Sequence, residues 1–138
     1  MNKPIIYEAE ASELATGTPV LIEVKIEWNR ARIEERIREV FPEAPNTAVA
    51  IAKAESKLYD RAHNPEAHKN RQGEVICYGS FGIMQIGCVH SIKDSEGLYD
   101  IEYNLQKARA IYDDSLRRRG NGWLPWGAYT DGRYLQYL

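Results

Sequence analysis

The feature of this sequence that most constrains its fold is an alanine-rich segment whose apolar positions follow the period of an α-helix. Ala48, Ile51, Ala52, Glu55 and Tyr59 are spaced so that they fall on one stripe of such a helix. Four of the five are small or largely apolar, so the stripe should face the core. Glu55 is the exception, because a carboxylate on that face loses hydration.

A carboxyl group at the wall of a cleft has a specific chemical use. Desolvation disfavours the charged form and raises the pKa. A glutamic acid that stays protonated near neutral pH can donate a proton to a glycosidic oxygen. Glu55 can instead pair with a neighbouring lysine or arginine, or point past the helix end into water. The stripe alone leaves these alternatives open.

The other elements are predicted from periodicity and from the residues that begin and end helices. Residues 16–19 favour a turn, and residues 20–28 are compatible with either a strand or the onset of a helix. Two helices are predicted next, one from about Glu27 to Phe41 and one from Ala48 to about Asp60, the second capped by Asn46 or Thr47. A short β excursion within 64–78 and a turn at 80–87 that leads into a helix follow. The last predicted elements are a loop at 92–100 and a helix over 101–120 that ends at Gly120.

Length and charge exclude several classes of protein. The 138 residues suit one domain, and the net charge of −2 argues against a nucleic-acid-binding protein. The dense basic run at 117–119 fits a solvated helix end, and the alternative is a contact with an anionic polymer. Neither a signal peptide nor an apolar stretch long enough for a membrane span is visible. We therefore expect a soluble protein that is made in a cytoplasm, or a domain excised from a chain that carried such a signal or anchor. We also expect a monomer.

The cysteines and histidines point to no metal site. Cys77 and Cys88 are either two buried thiols or one disulfide, and the absence of an export signal favours free thiols. His63, His68 and His90 do not have the spacing of a ligand set. The first two lie in a polar stretch and are expected to face solvent. The predicted chemistry requires neither a metal nor another cofactor.

Four segments in order resemble the lysozyme-like superfamily of soluble lytic transglycosylases and goose-type lysozymes, and are similar to small phage endolysins. They are AIAKAES at 50–56, SFGIMQI at 80–86, YNLQKARAIY at 103–112 and PWGAYTDGRY at 125–134. The resemblance covers roughly residues 46–138. It implies a lysozyme-like α+β fold, mainly α-helical, with a small β-hairpin near 70–80. A catalytic domain over 26–138 would follow an N-terminal arm of uncertain structure over 1–25.

The resemblance also implies roles for individual residues. Glu55 matches the general acid/base of the family, and Tyr129 matches a tyrosine that lies near that acid. The resemblance therefore implies that Glu55 and Tyr129 are the catalytic residues. Ser80 and Gln85 would hydrogen-bond the substrate, with Met84 packing below it. The matched substrate-binding positions are Ser80, Gly82, Met84, Gln85 and Asn104.

Each of these matches also has a structural interpretation. Ser80 and Gly82 can shape a turn, Gln85 can be a satisfied core amide, and Asn104 can cap the helix that follows it. The sequence also departs from the family pattern, because the Asn64-Pro65 step comes later after the catalytic glutamate than is usual.

Three hypotheses for the activity follow from the resemblance. The first is a lytic transglycosylase that cuts between N-acetylmuramic acid and N-acetylglucosamine in peptidoglycan and leaves 1,6-anhydro ends. The second is a muramidase, a hydrolase that needs a second carboxylate to activate water. Asp60, Glu66 and Glu74 are the candidates, and Glu74 is preferred because it precedes the cleft-lining segment. The third is a wall-binding module without turnover. Any of these would act on the bacterial cell wall, and a phage-encoded protein fits.

Overall fold

The structure is a computed structural model, and it describes residues 4–9, 20–25 and 27–138. Its first two strands, β1 (Pro4–Ala9) and β2 (Val20–Lys25), pair antiparallel, with Pro4 opposite Lys25. Of the two structures compatible with residues 20–28, the chain therefore adopts the strand, over 20–25. The turn predicted at 16–19 lies outside the described residues.

Helix α1 (Arg30–Val40) follows the predicted periodicity but begins later than expected. Asn29 caps it, because the Asn29 side chain accepts a hydrogen bond from the backbone N–H of Arg32 at 2.8 Å. The helix ends before Pro42, whose ring disfavours a helical conformation in the residue before it. The buried apolar residues of this segment are Ile33, Ile37 and Phe41.

Helix α2 (Pro45–Ser56) carries the apolar stripe, but both of its ends differ from the prediction. It begins at Pro45, because proline suits the first helical position, where its missing N–H loses no hydrogen bond. It ends at Ser56, since Lys57 and Leu58 adopt left-handed conformations with φ of 54° and 61°. Tyr59 therefore leaves the stripe and is 58% exposed.

The β excursion predicted near residues 70–80 is confirmed as a small antiparallel sheet with the order β3-β4-β5. The helix expected after 80–87 is replaced by β5 and a short 3-10 turn at Cys88–His90. The connection to β5 is a tight turn, in which the Gln85 N–H donates to the carbonyl of Gly82 at 3.1 Å. The strands are β3 (His63–Lys69), β4 (Val75–Phe81) and β5 (Ile86–Gly87).

The cysteines form a disulfide, so the expectation of free thiols is wrong. Cys77 lies in β4 and Cys88 directly follows β5, and their Cα atoms are 6.1 Å apart. The sequence separation of 11 residues did not reveal this proximity, because the antiparallel pairing of β4 with β5 is what brings the two positions together. The bridge closes the loop that contains the turn at 82–85.

Helix α3 (Ile101–Arg119) matches the predicted third helix closely. Asp100 caps it by accepting a hydrogen bond from the backbone N–H of Tyr103 at 3.0 Å, so Asn104 is not the cap. Gly120 ends the helix as predicted, with a φ of 76° that glycine adopts without strain. The preceding segment, expected to be a loop, contains a 3-10 turn at Ser95–Tyr99. After α3 come α4 (Gly127–Thr130) and a 3-10 turn at Arg133–Tyr137.

The core is enclosed by the three long helices and one end of the sheet. Aromatic rings join the helices to the C-terminal segment: the ring centroids of Phe41 and Trp123 are 5.0 Å apart, and those of Trp123 and Trp126 are 5.6 Å apart. Over the described residues the fold is α+β, with four α-helices and a small three-stranded antiparallel sheet, as the predicted fold class requires. No helix in this part of the chain combines the length and apolar character needed to cross a membrane.

Candidate active site

Glu55 lies at the C-terminal end of α2, where the apolar stripe meets an open groove. Ala48, Ile51 and Ala52 are fully buried on the same stripe, whereas the Glu55 side chain is 12% exposed. Ser56 fixes the helix end, because its hydroxyl donates to the Ala52 carbonyl at 3.0 Å and accepts from the backbone N–H that follows the helix. The carboxyl group is therefore held at the wall of the groove.

The groove has a volume of about 370 Å³ and lies between the end of α2, the sheet and the C-terminal segment. Its lining is mostly polar, which suits a ligand rich in hydroxyl and amide groups. The side chains that define it are Glu55, Asn64, Glu66, His68, Ser80, Gln85, Trp126 and Arg133.

Burial raises the pKa of Glu55. Loss of hydration is the largest cause, and the charge of Arg133, which acts in the opposite direction, does not outweigh it. The Arg133 guanidinium lies 3.4 Å from a carboxylate oxygen of Glu55, but it binds Asp131 more closely, at 2.7 Å. The backbone amide of Ala128 also lowers the pKa of Glu55, and the charges of Asp131 and Glu66 raise it. Glu55 thus pairs with a cation, as one of the alternatives from the sequence allowed, but the pair lies inside the groove.

A second carboxylate, Glu66, lines the same groove. The Ser80 hydroxyl donates to Glu66 at 2.7 Å, and the Nε2 atom of His68 lies 3.3 Å from the Ser80 oxygen and 3.7 Å from the carboxylate. Glu66 sits in a β-bulge, because Asn64 pairs with Ser80 and Ala67 with Tyr78, which leaves two residues of β3 opposite one residue of β4.

The structure discriminates between the three carboxylates that the sequence offered. Glu74, the preferred one, lies at the turn between β3 and β4, where it accepts a hydrogen bond from the Asn70 side chain at 3.2 Å. It is exposed and is not among the residues that line the groove, and neither is Asp60. Only Glu66 of the three shares the groove with Glu55.

The predicted substrate-binding residues divide into two groups. Ser80 and Gln85 line the groove, whereas Met84 is fully buried behind it. The Gln85 side-chain amide donates to two backbone carbonyls, at 3.1 and 3.0 Å, and its backbone has a φ of 49°. Such a left-handed conformation is unusual for a residue other than glycine and is often found at functional sites.

Asn104 and Gly82 support the groove from behind rather than lining it. Asn104 is fully buried; its side chain accepts from the Met84 backbone N–H at 2.9 Å and donates to the carbonyls of Phe81 at 2.8 Å and Leu98 at 2.9 Å. Gly82 has a φ of 75°, and a side chain there would collide with the Leu98 carbonyl and the Asn104 amide. Asn104 thereby ties the turn at 82–85 to α3.

Tyr129 is half-buried in α4 next to the groove. Its ring stacks on Tyr134 with centroids 5.0 Å apart, and its hydroxyl accepts a hydrogen bond from Asn121 at 3.1 Å. It is not among the residues that line the groove in the described part of the chain. The adjacent Ala128 provides the closer connection to the acid, since its backbone amide acts on Glu55.

Sequence reasoning missed His68 and Arg133, which both line the groove. His68 was expected to face solvent, but its side chain is only 22% exposed and contacts Ser80. Arg133 was not predicted as a site residue, because it lies 78 residues from Glu55 and no sequence spacing links the two. The one available signal was its position within the last of the four resembling segments. No family model matches the chain, and neither does any curated protein or solved structure.

Proposed function

We propose that this protein cleaves the glycan strand of peptidoglycan at the β-1,4 bond between N-acetylmuramic acid and N-acetylglucosamine, with Glu55 as the general acid. The observation that carries the proposal is a carboxyl group with a raised pKa at the wall of a polar groove. A protonated carboxyl group in that position can donate to the glycosidic oxygen, which is a poor leaving group until it is protonated.

The first candidate reaction is that of a lytic transglycosylase. Glu55 protonates the glycosidic oxygen, the bond to the anomeric carbon breaks, and the oxocarbenium-like centre is stabilised by the sugar's own acetamido group or by the groove. The Glu55 carboxylate then takes the proton of the C6 hydroxyl as that oxygen bonds to the anomeric carbon. Glu55 ends protonated, an anhydro ring forms and no water is consumed. Arg133, 3.4 Å away, favours the carboxylate form between the two transfers.

The second candidate reaction is hydrolysis, and the position of Glu66 favours it. Glu66 shares the groove with Glu55, and Ser80 and His68 hold its carboxylate. In this reaction Glu66 takes a proton from a water molecule whose oxygen bonds to the anomeric carbon. Glu55 supplies the proton to the leaving group as before, and the product carries a reducing end.

Replacing Glu55 by glutamine tests the proposed acid. The variant keeps the size of the side chain but cannot donate the proton, so the rate of glycan cleavage should fall by about 10²- to 10⁴-fold. The measurement is the loss of turbidity of purified cell walls, together with the release of soluble muropeptides. Glu74→Gln is the matched control, because Glu74 is exposed and lies outside the groove. Equal rates for wild type and Glu55→Gln would disprove the assignment, and no cleavage by either would leave only the non-catalytic wall-binding module.

Mass spectrometry of the products separates the two reactions. If the products carry anhydro ends and the Glu66→Gln variant stays active, the enzyme is a transglycosylase. If the products carry reducing ends and the Glu66→Gln variant is inactive, the reaction is hydrolysis with Glu66 as the base. In either case Glu66→Gln should fold like the wild type, because the Glu66 side chain is 53% exposed.

A further inference from the structure

A second hollow adjoins the groove, and the proposed cleavage reaction does not use it. It has a volume of about 410 Å³ and shares His90, Ile111 and Pro125 with the lining of the groove. The two spaces are therefore adjacent, and a ligand long enough to pass these shared residues would reach both. We call it the basic hollow; the lining residues that define it are Lys107, Ala110, Ile111, Arg118, Arg119 and Pro125.

The basic hollow is positively charged in a chain whose net charge is −2. Three cationic side chains, those of Lys107, Arg118 and Arg119, line it against a single carboxylate, Asp114. Arg118 already binds Asp114 at 2.6 Å, and Arg117 binds the same carboxylate at 2.6 Å. The negative charge of Asp114 is thus neutralised within the protein.

Two of the cations, Lys107 and Arg119, have no acidic partner within the described part of the chain. No salt bridge joins Lys107 or Arg119 to a carboxylate among the residues that the structure describes, and Lys107 contacts the ring of Tyr103 at 5.5 Å instead. Between them the surface is apolar, because Ala110 and Ile111 line the hollow on α3. The hollow therefore offers cations around a small apolar surface, which suits a chain that alternates methyl groups with carboxylates.

We propose that the basic hollow binds the peptide stem of the glycan strand whose sugars occupy the groove. This inference rests on the proposed function. In peptidoglycan, a short peptide with small side chains and several carboxylates branches from each N-acetylmuramic acid. A sugar in the groove would place the base of this peptide beside the residues that the two spaces share. Its carboxylates would bind Lys107 and Arg119, and its methyl groups would contact Ala110 and Ile111.

A comparison of two soluble substrates tests the proposal. One is a glycan chain with its peptide stems, and the other is the same chain after an amidase has removed them. In the double variant Lys107→Gln/Arg119→Gln, we expect kcat/KM on the stemmed chain to fall by about tenfold, mostly through KM, since each exposed ion pair contributes only modestly. On the stripped chain the double variant should stay within about twofold of the wild type. Arg71→Gln/Lys93→Gln removes two exposed cations elsewhere and should change neither value.

Binding measurements separate failure of this proposal from failure of the proposed function. Titration calorimetry of the Glu55→Gln protein with a stemmed disaccharide should give a Kd that the double variant at Lys107 and Arg119 raises about tenfold. Equal effects on stemmed and stripped chains, or no effect on either, would overturn the stem site while leaving glycan cleavage intact. Absence of cleavage of both chains by the wild type would instead refute the proposed function. Wall teichoic acid, which is rich in phosphate, is the competing ligand. If it binds more tightly than the stemmed disaccharide and loses affinity in the double variant, the basic hollow is a phosphate site and the proposed stem site is overturned.

Discussion

Arg133→Gln is the substitution that tests most directly how the groove controls its acid. Arg133 is the cation whose charge lowers the pKa of Glu55, and it acts against the larger effect of burial. Its side chain is 52% exposed, and its guanidinium is anchored by Asp131 and lies 3.4 Å from a Glu55 oxygen. Glutamine removes the charge but keeps a side chain that can hydrogen-bond. The carboxyl group then loses the partner that favours its ionised form.

The sign and size of the effect follow from this geometry. Without the cation the protonated form of Glu55 is favoured, so its pKa rises further above the ordinary value. An ion pair at this distance whose cation is half exposed contributes about 0.2–1 kcal/mol, since solvent screens the cation and the cation is shared with Asp131. That energy corresponds to a roughly 1.5- to 5-fold increase in the ratio of protonated to ionised Glu55. A general acid acts while protonated, so activity should persist to higher pH in the variant.

The assay is the pH dependence of kcat/KM on a soluble glycan chain, with each profile normalised to its own maximum. The falling limb on the basic side should move to higher pH in Arg133→Gln and stay in place in Arg71→Gln, which removes an exposed arginine from the β3–β4 turn. High salt should bring the Arg133→Gln and wild-type profiles together, because it screens the ion pair. A limb that moves to lower pH would refute the reasoning, and so would an unmoved limb at low salt. A loss at every pH without movement would mean that Arg133 binds substrate.

Three further outcomes are expected. Reduction of the Cys77–Cys88 bridge should lower the free energy of unfolding by roughly 2–3 kcal/mol in urea denaturation, because it releases a short closed loop; an unchanged midpoint would mean that the bridge constrains little. Asn104→Ala should cost about 3 kcal/mol or more in the same assay, since it leaves buried backbone groups of the turn unpaired, whereas Gln106→Ala on the exposed side of α3 should stay within about 0.5 kcal/mol. Glu55→Gln should increase stability at pH 7 and not at pH 3. A carboxyl group whose pKa is raised by folding destabilises the native state once pH exceeds its unfolded value, and the variant removes that cost; a variant less stable than wild type at pH 7 would contradict the raised pKa.

The elements that the sequence predicted well are those whose signals are local. Helix α3 has regular apolar spacing and a glycine at its C-terminal end, and its observed bounds match the prediction. Helix α2 was predicted with its correct inner face, but its end was placed too late. Its last turn is followed by Lys57 and Leu58, which are left-handed although neither is glycine. Local preference does not signal this conformation, because lysine and leucine rarely adopt it.

The sequence could not decide whether Glu66 or Glu74 is the second carboxylate of the groove, because their positions depend on strand register. Glu66 and Glu74 both lie in the polar stretch after α2, and their local sequences do not distinguish them. The pairing of β3 with β4 places Glu66 in a bulge beside Ser80 and leaves Glu74 at the turn. A bulge re-aims the side chains near it, and its position is fixed by pairing between residues far apart in sequence. The disulfide escaped prediction for the same reason, since it depends on the pairing of β4 with β5.

The segment at 80–86 illustrates why a motif does not by itself identify the residues that touch a ligand. Ser80 and Gln85 face the groove, whereas Met84 is fully buried and Asn104 holds its backbone from α3. Trp126 binds the same residue from the other side, because its indole N–H donates to the Met84 carbonyl at 2.8 Å. Substitutions that break this support should therefore lower stability and activity together. Comparing the loss of folding free energy with the loss of kcat/KM at each position would thus separate the side chains that bind the glycan from those that hold the turn in place.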